Sequence, residues 1–502
     1  MIIKRDKSSI ESYFEDNSGM RGAYAEYAAI AESVEDIKNF IVKAAAEGTP
    51  VTVCGALTGN TGAGLPYGGA VLSLEIFSNF GRIVDMLSTE ITFKNVRFKG
   101  MPLGGVMKVG AAARICDIKD RAMAEKWLYA PDPTEQQATI GGNISTNASG
   151  ARGYKFGSTR RYVNAINIIF TDGSEARIER GKYFADDSGT IVFDTDKGKK
   201  TIVLPKYQLP AIKNSAGYFN YSNADLIDVF IGSEGTLGII TEAEVLLIKH
   251  FYGSCAAIIF FYDENDLFAF VRDVKKNITP MSIEFFDKNT IDLVRDICPP
   301  LPANTQGAVM IEQEFYDQAE ADEIGNSWIK LIERNKGDSE HAWFGTEYEE
   351  IEKIRMFRHS IPQRVNEIVH KNRIPKIGTD FAVPEWGLQE IIKLCREEFG
   401  KTNAANLIFG HIGENHLHAN IIASNPDEYK QIVKIYEKII KKVVEMGGTA
   451  SAEHGIGKLR HAFLREMVGD EGFKEMAKFK KSLDKAGILG QDNVFPKIYL
   501  KN

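Results

Sequence analysis

Stretches of helical and strand-like periodicity alternate along most of the 502-residue chain. Ile37, Phe40, Ile41 and Ala44 recur at helical spacing behind the polar Ser33 and Asp36, which predicts a helix over about residues 20–50, ended by Gly48-Thr49-Pro50. Val51 and Val53 then read as a strand entering a glycine-rich loop. AVLSLEIF (70–77) and ITFKNVRFKG (91–100) read as further strands, and VMKVGAAARICDIKDRAMAEKW (106–127) passes from strand to helix. NAINIIFTDGSEARIER predicts a hairpin turned at Asp172-Gly173. Residues 182–222 are polar and irregular and receive no assignment; Lys199 and Lys200 within them read as solvated surface. EAEVLLIKHF closes a first domain near His250. Beyond Gly253 the runs CAAIIFFY, GAVMIEQEF, ANLIFGHIG and HANIIA alternate with amphipathic helices such as Tyr429 to Met446, the pattern of a sheet covered on one face. AFLREMVG and FKEMAKFKKSLD read as helices near the end. The fold class is α+β.

Composition narrows the class. The length asks for two or three domains, and 44% apolar with 26% charged residues is ordinary for a globular protein. A net charge of −7 without a basic block argues against nucleic acid and against a polybasic membrane patch. Five scattered cysteines with no C-x-x-C fit a reducing compartment and argue against an iron–sulfur or zinc-ribbon module. The start of the chain has no signal-like apolar run, and no run reaches the eighteen or so apolar residues of a membrane span. The expectation is a cytoplasmic protein, with peripheral membrane association left open.

Three stretches do not look like core. PDPTEQQATIGGNISTNASGARGYKFGSTRRY (131–162) carries Gly141, Gly142, Gly150, Gly153 and Gly157 among Ser and Thr. VTVCGALTGNTGAGLPYGG (51–69) carries Gly55, Thr58, Gly59, Thr61, Gly62 and Gly64, and IGSEGTLGIIT (231–241) precedes an apolar run. Glycine serves where backbone passes close to something or takes positive φ. The reading is backbone laid along a large phosphate-bearing ligand, although none of the three has P-loop or dinucleotide-fold spacing. These stretches resemble the FAD-binding domain of the vanillyl-alcohol oxidase, or p-cresol methylhydroxylase-type, superfamily. The nearer likeness is to its FAD-linked oxidase branch, which includes D-lactate dehydrogenases, glycolate oxidase catalytic subunits and D-2-hydroxyglutarate dehydrogenases. The likeness covers nearly the whole chain.

That resemblance implies an FAD-binding domain of two α/β subdomains over 1–250, a cap or substrate domain with an antiparallel sheet over 251–455, and a C-terminal helical segment, 456–502, returning to the FAD domain. It places FAD against Gly55, Thr58, Gly59, Asn60, Thr61, Gly62, Pro131, Asp132, Thr139, Gly141, Gly142, Asn143, Thr146, Asn147, Gly150, Gly153, Glu234, Gly235, Gly238 and Ile239. Some superfamily members tether the flavin through His or Cys. No histidine precedes His250, and Cys54 reads as a small buried residue, so FAD is expected to be non-covalent.

The chemistry is concentrated late. Five of nine histidines (His411, His416, His418, His454, His461) fall within about fifty residues. GHIGENHLHANI and SAEHGIGK together offer imidazoles and a carboxylate suited to Zn, Mn or Fe with open positions. Metal-using members of the family carry G-H-x-G-D-G-N-L-H and G-E-H-G-[IV]-G. The resemblance therefore implies His411, His418 and Glu453 as metal ligands and His454 as the base that takes the substrate hydroxyl proton. Glu414-Asn415 replaces the usual Asp-Gly, and His416 stands where the family has Asn, which leaves it an extra ligand, a substrate contact or a loop residue. Arg358, ahead of TDFAVP (379–384), is the candidate fork for a substrate carboxylate, with Lys376 weaker.

The implied reaction is metal-assisted oxidation of a D-2-hydroxy acid to the 2-oxo acid with hydride transfer to flavin N5. The acceptor would be an electron-transferring flavoprotein, a quinone, a separate iron–sulfur subunit or oxygen, and a homodimer is open. Two alternatives stand beside it. One is a flavoenzyme of the same fold without net oxidation, resembling alkyl-dihydroxyacetone-phosphate synthase, whose run of consecutive cap histidines is absent here. The other is a non-catalytic flavin relay subunit, which would need neither metal nor base.

Overall fold

Four sheets organise the described residues, which in this computed structural model are 1–85, 103–298 and 300–501. The strand expected over 91–100 lies outside them. The chain divides into two compact units. The first comprises Met1–Gly150, Ser158–His250 and Ser451–Asn502; the second comprises Ala151–Gly157 and Phe251–Ala450.

In the first unit a four-stranded sheet carries Tyr27–Ile30 and Val51–Cys54 on either side of Ala70–Ser73, all parallel, with Ile2–Lys4 antiparallel at the edge. The helix expected over 20–50 is confined to Val34–Glu47. Ser33 caps it by accepting from the Asp36 N–H, and Gly48 ends it in the left-handed conformation. Residues 27–30 form a strand instead, because YAAI pairs at both edges and three of its four residues are buried. Likewise only Ala70–Ser73 of the 70–77 run is strand. Ile37, Ile41 and Ala44 bury the apolar face of the helix with Val51, Leu72, Ile488 and Leu489. A six-stranded sheet follows, in which the long Ile239–Lys249 strand lies between Leu103–Gly110 and Val163–Ile169. The hairpin read at Asp172-Gly173 is present, joining Val163–Ile169 to Glu175–Glu179, with Gly173 at φ +71°.

The unassigned stretch contains a second hairpin, Thr190–Thr195 with Gly198–Val203. Its buried Ile191, Phe193 and Ile202 alternate with exposed residues. Lys199 is exposed as expected, whereas Lys200 is not solvated surface: it is half-buried over the Phe170 ring and pairs with Asp172. The C-terminal segment belongs to this unit. Val51 N–H donates to the Ile488 carbonyl and Gly490 N–H to the Val51 carbonyl, extending the Val51–Cys54 edge. The helix His461–Leu483 breaks at Gly469.

The second unit is built on an eight-stranded antiparallel sheet. Its path runs Asp338–Gly345, Gly253–Phe261, Gly307–Phe315, Ser282–Asp287, Ala405–Gly410, His416–Ile422 and Ile377–Gly378, with Phe381–Ala382 also on His416–Ile422. Gly253–Phe261, Ser282–Asp287, Gly307–Phe315 and His416–Ile422 are buried on both faces or nearly so, whereas the edge strand Asp338–Gly345 is largely exposed. Among the polar residues on these strands are Glu284, His416 and His418, around which the site is built.

Candidate metal centre and flavin cradle

The centre of the second unit is a hairpin of histidines. Ala405–Gly410 and His416–Ile422 pair antiparallel with Phe409 opposite His418, and His411 opens the connection. Gly410 takes φ +129°, where a Cβ would stand 3.0 Å from His418 Cδ2, so only glycine lets the His411 backbone turn in beside that ring. Asn415 closes the turn at φ +54°. His416 and His418 are two residues apart on one strand and therefore share a face, while Leu417 between them is buried on the other. The three rings converge: centroids are 5.2 Å apart for His411–His416, 5.4 Å for His411–His418 and 4.5 Å for His416–His418. One ring nitrogen of each lies within 4.8 Å of the others.

Each imidazole is held from behind by an oxygen. His411 Nδ1 donates to Glu284 Oε1 at 2.5 Å, His416 Nε2 to Asp380 Oδ1 at 3.0 Å, and His418 Nδ1 to the Thr379 carbonyl at 3.3 Å. Ionised carboxylates and carbonyls only accept, so the ring nitrogen that faces each of them carries a hydrogen. This is the arrangement of a ligating histidine, with one nitrogen tied to an acceptor that orients the ring and raises its basicity. The donor chemistry fits a divalent ion.

Glu284 was not legible as a site residue. It sits on Ser282–Asp287, beside Ala405–Gly410, and is fully buried between His411 and Arg358, whose Nε donates to Oε2 at 2.8 Å. Burial alone would raise its pKa; the charges of His411 and Arg358 and their hydrogen bonds outweigh that and hold it down to about 2. The only signal in sequence is an acid flanked by Ile283 and Phe285 in SIEFFD. One turn earlier on the same helix, Tyr348–Asn372, Arg355 joins Arg152 on the buried Glu312. Arg358 thus reaches the histidine cluster through Glu284, while Lys376 is exposed just before Ile377–Gly378.

In the first unit the three glycine stretches meet. A Cβ on Gly55 would stand 2.6 Å from Thr139 Oγ1, Gly232 N–H donates to the Ile144 carbonyl, and Glu234 N–H donates to the Ser145 carbonyl. Thr139 caps the short helix Ile140–Thr146, and Asn147 ends it in the left-handed region. Two close approaches explain their glycines. Gly150, at φ +145°, would put a Cβ 1.8 Å from the Asp132 carbonyl oxygen, and Gly457, at φ +52°, one 2.1 Å from that of Thr61. At Gly59 and Gly235 a Cβ would meet no described atom within 4 Å. Backbone is therefore packed tightly within the cluster and open along these two positions, which fits an extended ligand. Gly153 differs from the other flavin candidates in lying in the second unit, at the start of Gly153–Phe156.

Glu234 closes the cradle from inside. Its carboxylate accepts from the Ile456 and Gly457 N–H groups at 2.8 and 2.6 Å, and burial pushes its pKa up to about 7. Glu453, from the same C-terminal stretch, is buried and paired with Lys213 at 2.5 Å. His454 is half-buried, and its carbonyl accepts from Thr61 Oγ1 at 3.4 Å. Lys213 comes from the stretch that received no assignment.

Comparison with known proteins identifies the family of the chain. A family model described as FAD binding domain matches residues 25–179, and one described as FAD linked oxidases, C-terminal domain, matches 254–494. The chain is 28% identical to the glycolate oxidase subunit GlcD of Bacillus subtilis over 75% of its own length and 73% of that protein's. It is 24% identical to a D-lactate dehydrogenase of Anaerostipes hadrus over 97% of this chain and 93% of that one. Among solved structures, alkyldihydroxyacetonephosphate synthase superposes with a TM-score of 0.64 over 97% of this chain and 82% of that chain, at 13% identity, a likeness of fold alone. No helix among the described residues is long and apolar enough to cross a membrane.

Proposed function

Because the chain belongs to the FAD-linked oxidase family and is an FAD-dependent oxidoreductase, we propose that it oxidises a D-2-hydroxy acid of the lactate, glycolate or 2-hydroxyglutarate class to the 2-oxo acid with the help of a divalent ion. The observation that carries the proposal is the set of three converging imidazoles, each oriented by an oxygen behind it. Flavin, when bound, supplies the hydride acceptor, and a divalent ion, when held, lowers the pKa of the substrate hydroxyl.

The protein's part is positioning and proton transfer. His411 and His418 hold the ion, and the family pattern adds Glu453 as a third ligand. Glu453 is paired with Lys213 at 2.5 Å, and as a ligand it would share its carboxylate between that ammonium and the ion. His454 takes the hydroxyl proton on its ring. Arg358, with five N–H donors in a planar fork, binds the substrate carboxylate, with Lys376 as the second candidate. Residues 55–62, 131–150 and 231–239 would hold FAD, with Gly59 and Gly235 leaving room beside the backbone.

An anaerobic titration of the flavin-loaded protein with D- and L-lactate, glycolate, malate and D-2-hydroxyglutarate tests the proposal. One D-hydroxy acid should bleach the visible flavin band, and a chelator should abolish bleaching without releasing flavin. Flavin that none of these acids bleaches would overturn the assignment.

A further inference from the structure

We infer that His416, oriented by Asp380, is a third imidazole ligand of the metal, giving this chain a nitrogen-rich centre that prefers Zn²⁺, Co²⁺ or Fe²⁺ over Mn²⁺. The inference rests on the proposed metal-assisted reaction and concerns the residue at which this chain departs from the family pattern.

Three observations lead there. First, His416 shares a strand face with His418, and its ring lies nearest that of His418, at 4.5 Å; a loop residue or a substrate contact has no reason to be the tightest member of the cluster. Second, both His416 and its partner Asp380 have no exposed surface. A buried acid is costly unless paired, and here its Oδ1 receives His416 Nε2 at 3.0 Å, the carboxylate–histidine pairing that turns the other ring nitrogen toward a metal. Third, the backbone around the pair is anchored on both sides. Ala382 is opposite His416 in the ladder, and Thr379 Oγ1 accepts from Ala419 N–H while the Thr379 carbonyl holds His418. One segment, Thr379-Asp380, therefore orients two histidines at once, as Glu284 orients the third.

The chemical consequence follows from the donor set. Two imidazoles and a carboxylate suit Mn²⁺ and Zn²⁺ alike, whereas each added imidazole favours the later, softer ions. Three nitrogens at about 2.0–2.1 Å from one ion stand roughly 3.3 Å apart, and the imidazole nitrogens here lie within 4.8 Å of one another.

The test uses the full chain loaded with flavin. Electron spin-echo spectroscopy of the Cu²⁺-loaded wild type should register three coupled imidazoles; two would overturn the inference, and this count needs no variant. His416→Asn, which installs the family's residue, should weaken Zn²⁺ binding by about 100-fold or more and lower the Zn²⁺/Mn²⁺ preference. Asp380→Asn should weaken it by about 10–100-fold. The Co²⁺ absorption of H416N should fall toward that of a higher-coordinate, water-rich ion. Unchanged Zn²⁺ affinity and an unchanged Co²⁺ spectrum in H416N would overturn the role of His416 alone. A wild type that binds no divalent ion would instead overturn the metal-assisted reaction itself.

Discussion

Replacing Glu284 should damage fold and metal binding together, by amounts that can be separated. The side chain is fully buried and bonds Arg358 Nε at 2.8 Å and His411 Nδ1 at 2.5 Å. Glu284→Gln keeps the volume but supplies one acceptor where two donors converge, so its amide N–H₂ meets an N–H of Arg358 or His411. Removing one partner of a buried ion pair costs about 3–5 kcal/mol, and we expect about 3 kcal/mol because Gln retains one bond. Loss of the acceptor behind His411 should lower metal affinity by about 10–100-fold. Denaturant unfolding of metal-free protein reads the first number and Zn²⁺ titration of folded protein the second. The double variant Glu284→Leu/Arg358→Met, which removes both charges, should recover a large part of the stability and none of the metal affinity. E284Q costing under about 1 kcal/mol and binding Zn²⁺ as wild type would refute the assignment of Glu284 as the residue that positions His411.

The buried Glu234 makes stability pH-dependent. Its folded pKa of about 7 lies above the ordinary 4.5, so the native state keeps a proton that the unfolded chain has released. Its contribution is complete below about 4.5 and is lost as pH rises toward 7, by at most ~1.4 kcal/mol per pH unit. Glu234→Gln should flatten the wild-type decline between pH 5 and 7.5 in chemical denaturation, and parallel slopes would contradict this. Gly150→Ala would drive a methyl into the Asp132 carbonyl 1.8 Å away at an unfavourable φ of +145°. It should lower the melting temperature and the flavin content together; full flavin occupancy would show that this turn has no part in the cradle.

Much of the site was written in local chemistry. The glycine stretches were readable because a backbone that must pass close to other backbone admits no side chain, as at Gly150. His411, His416 and His418 were readable because two fall at strand spacing and the third lies just before the turn. Glu284 and Asp380 were not readable as partners, since nothing in SIEFFD or TDFAVP says which strand will lie alongside; that comes from ladder pairing, which brings Glu284 to a histidine 127 residues away and Asp380 to one 36 away. Tyr27–Ile30 was absorbed into a helix because alanine-rich YAAI has no alternation, and its strand character comes from neighbours on both edges. The Thr190–Val203 hairpin did carry a period of two in Ile191 and Phe193, masked by the charged residues around it.

The return of the C-terminal segment has a consequence for synthesis. The first unit is assembled from three pieces of chain, and its first and last are separated by the whole of the second unit. Ile488 and Leu489 complete the cluster begun by Ile37 and Val51, and the Lys480 ammonium donates to the Thr236 and Leu489 carbonyls. A ribosome that has released residues 1–250 has therefore made most of a flavin domain that cannot close. Glu234 still lacks the Ile456 and Gly457 N–H groups, and the Val51–Cys54 edge lacks its partner. The second unit, continuous from Phe251 to Ala450 apart from seven residues, is free to fold first. We expect flavin capture to wait for the C-terminal segment, so that a nascent chain stalled before residue 490 should bind none.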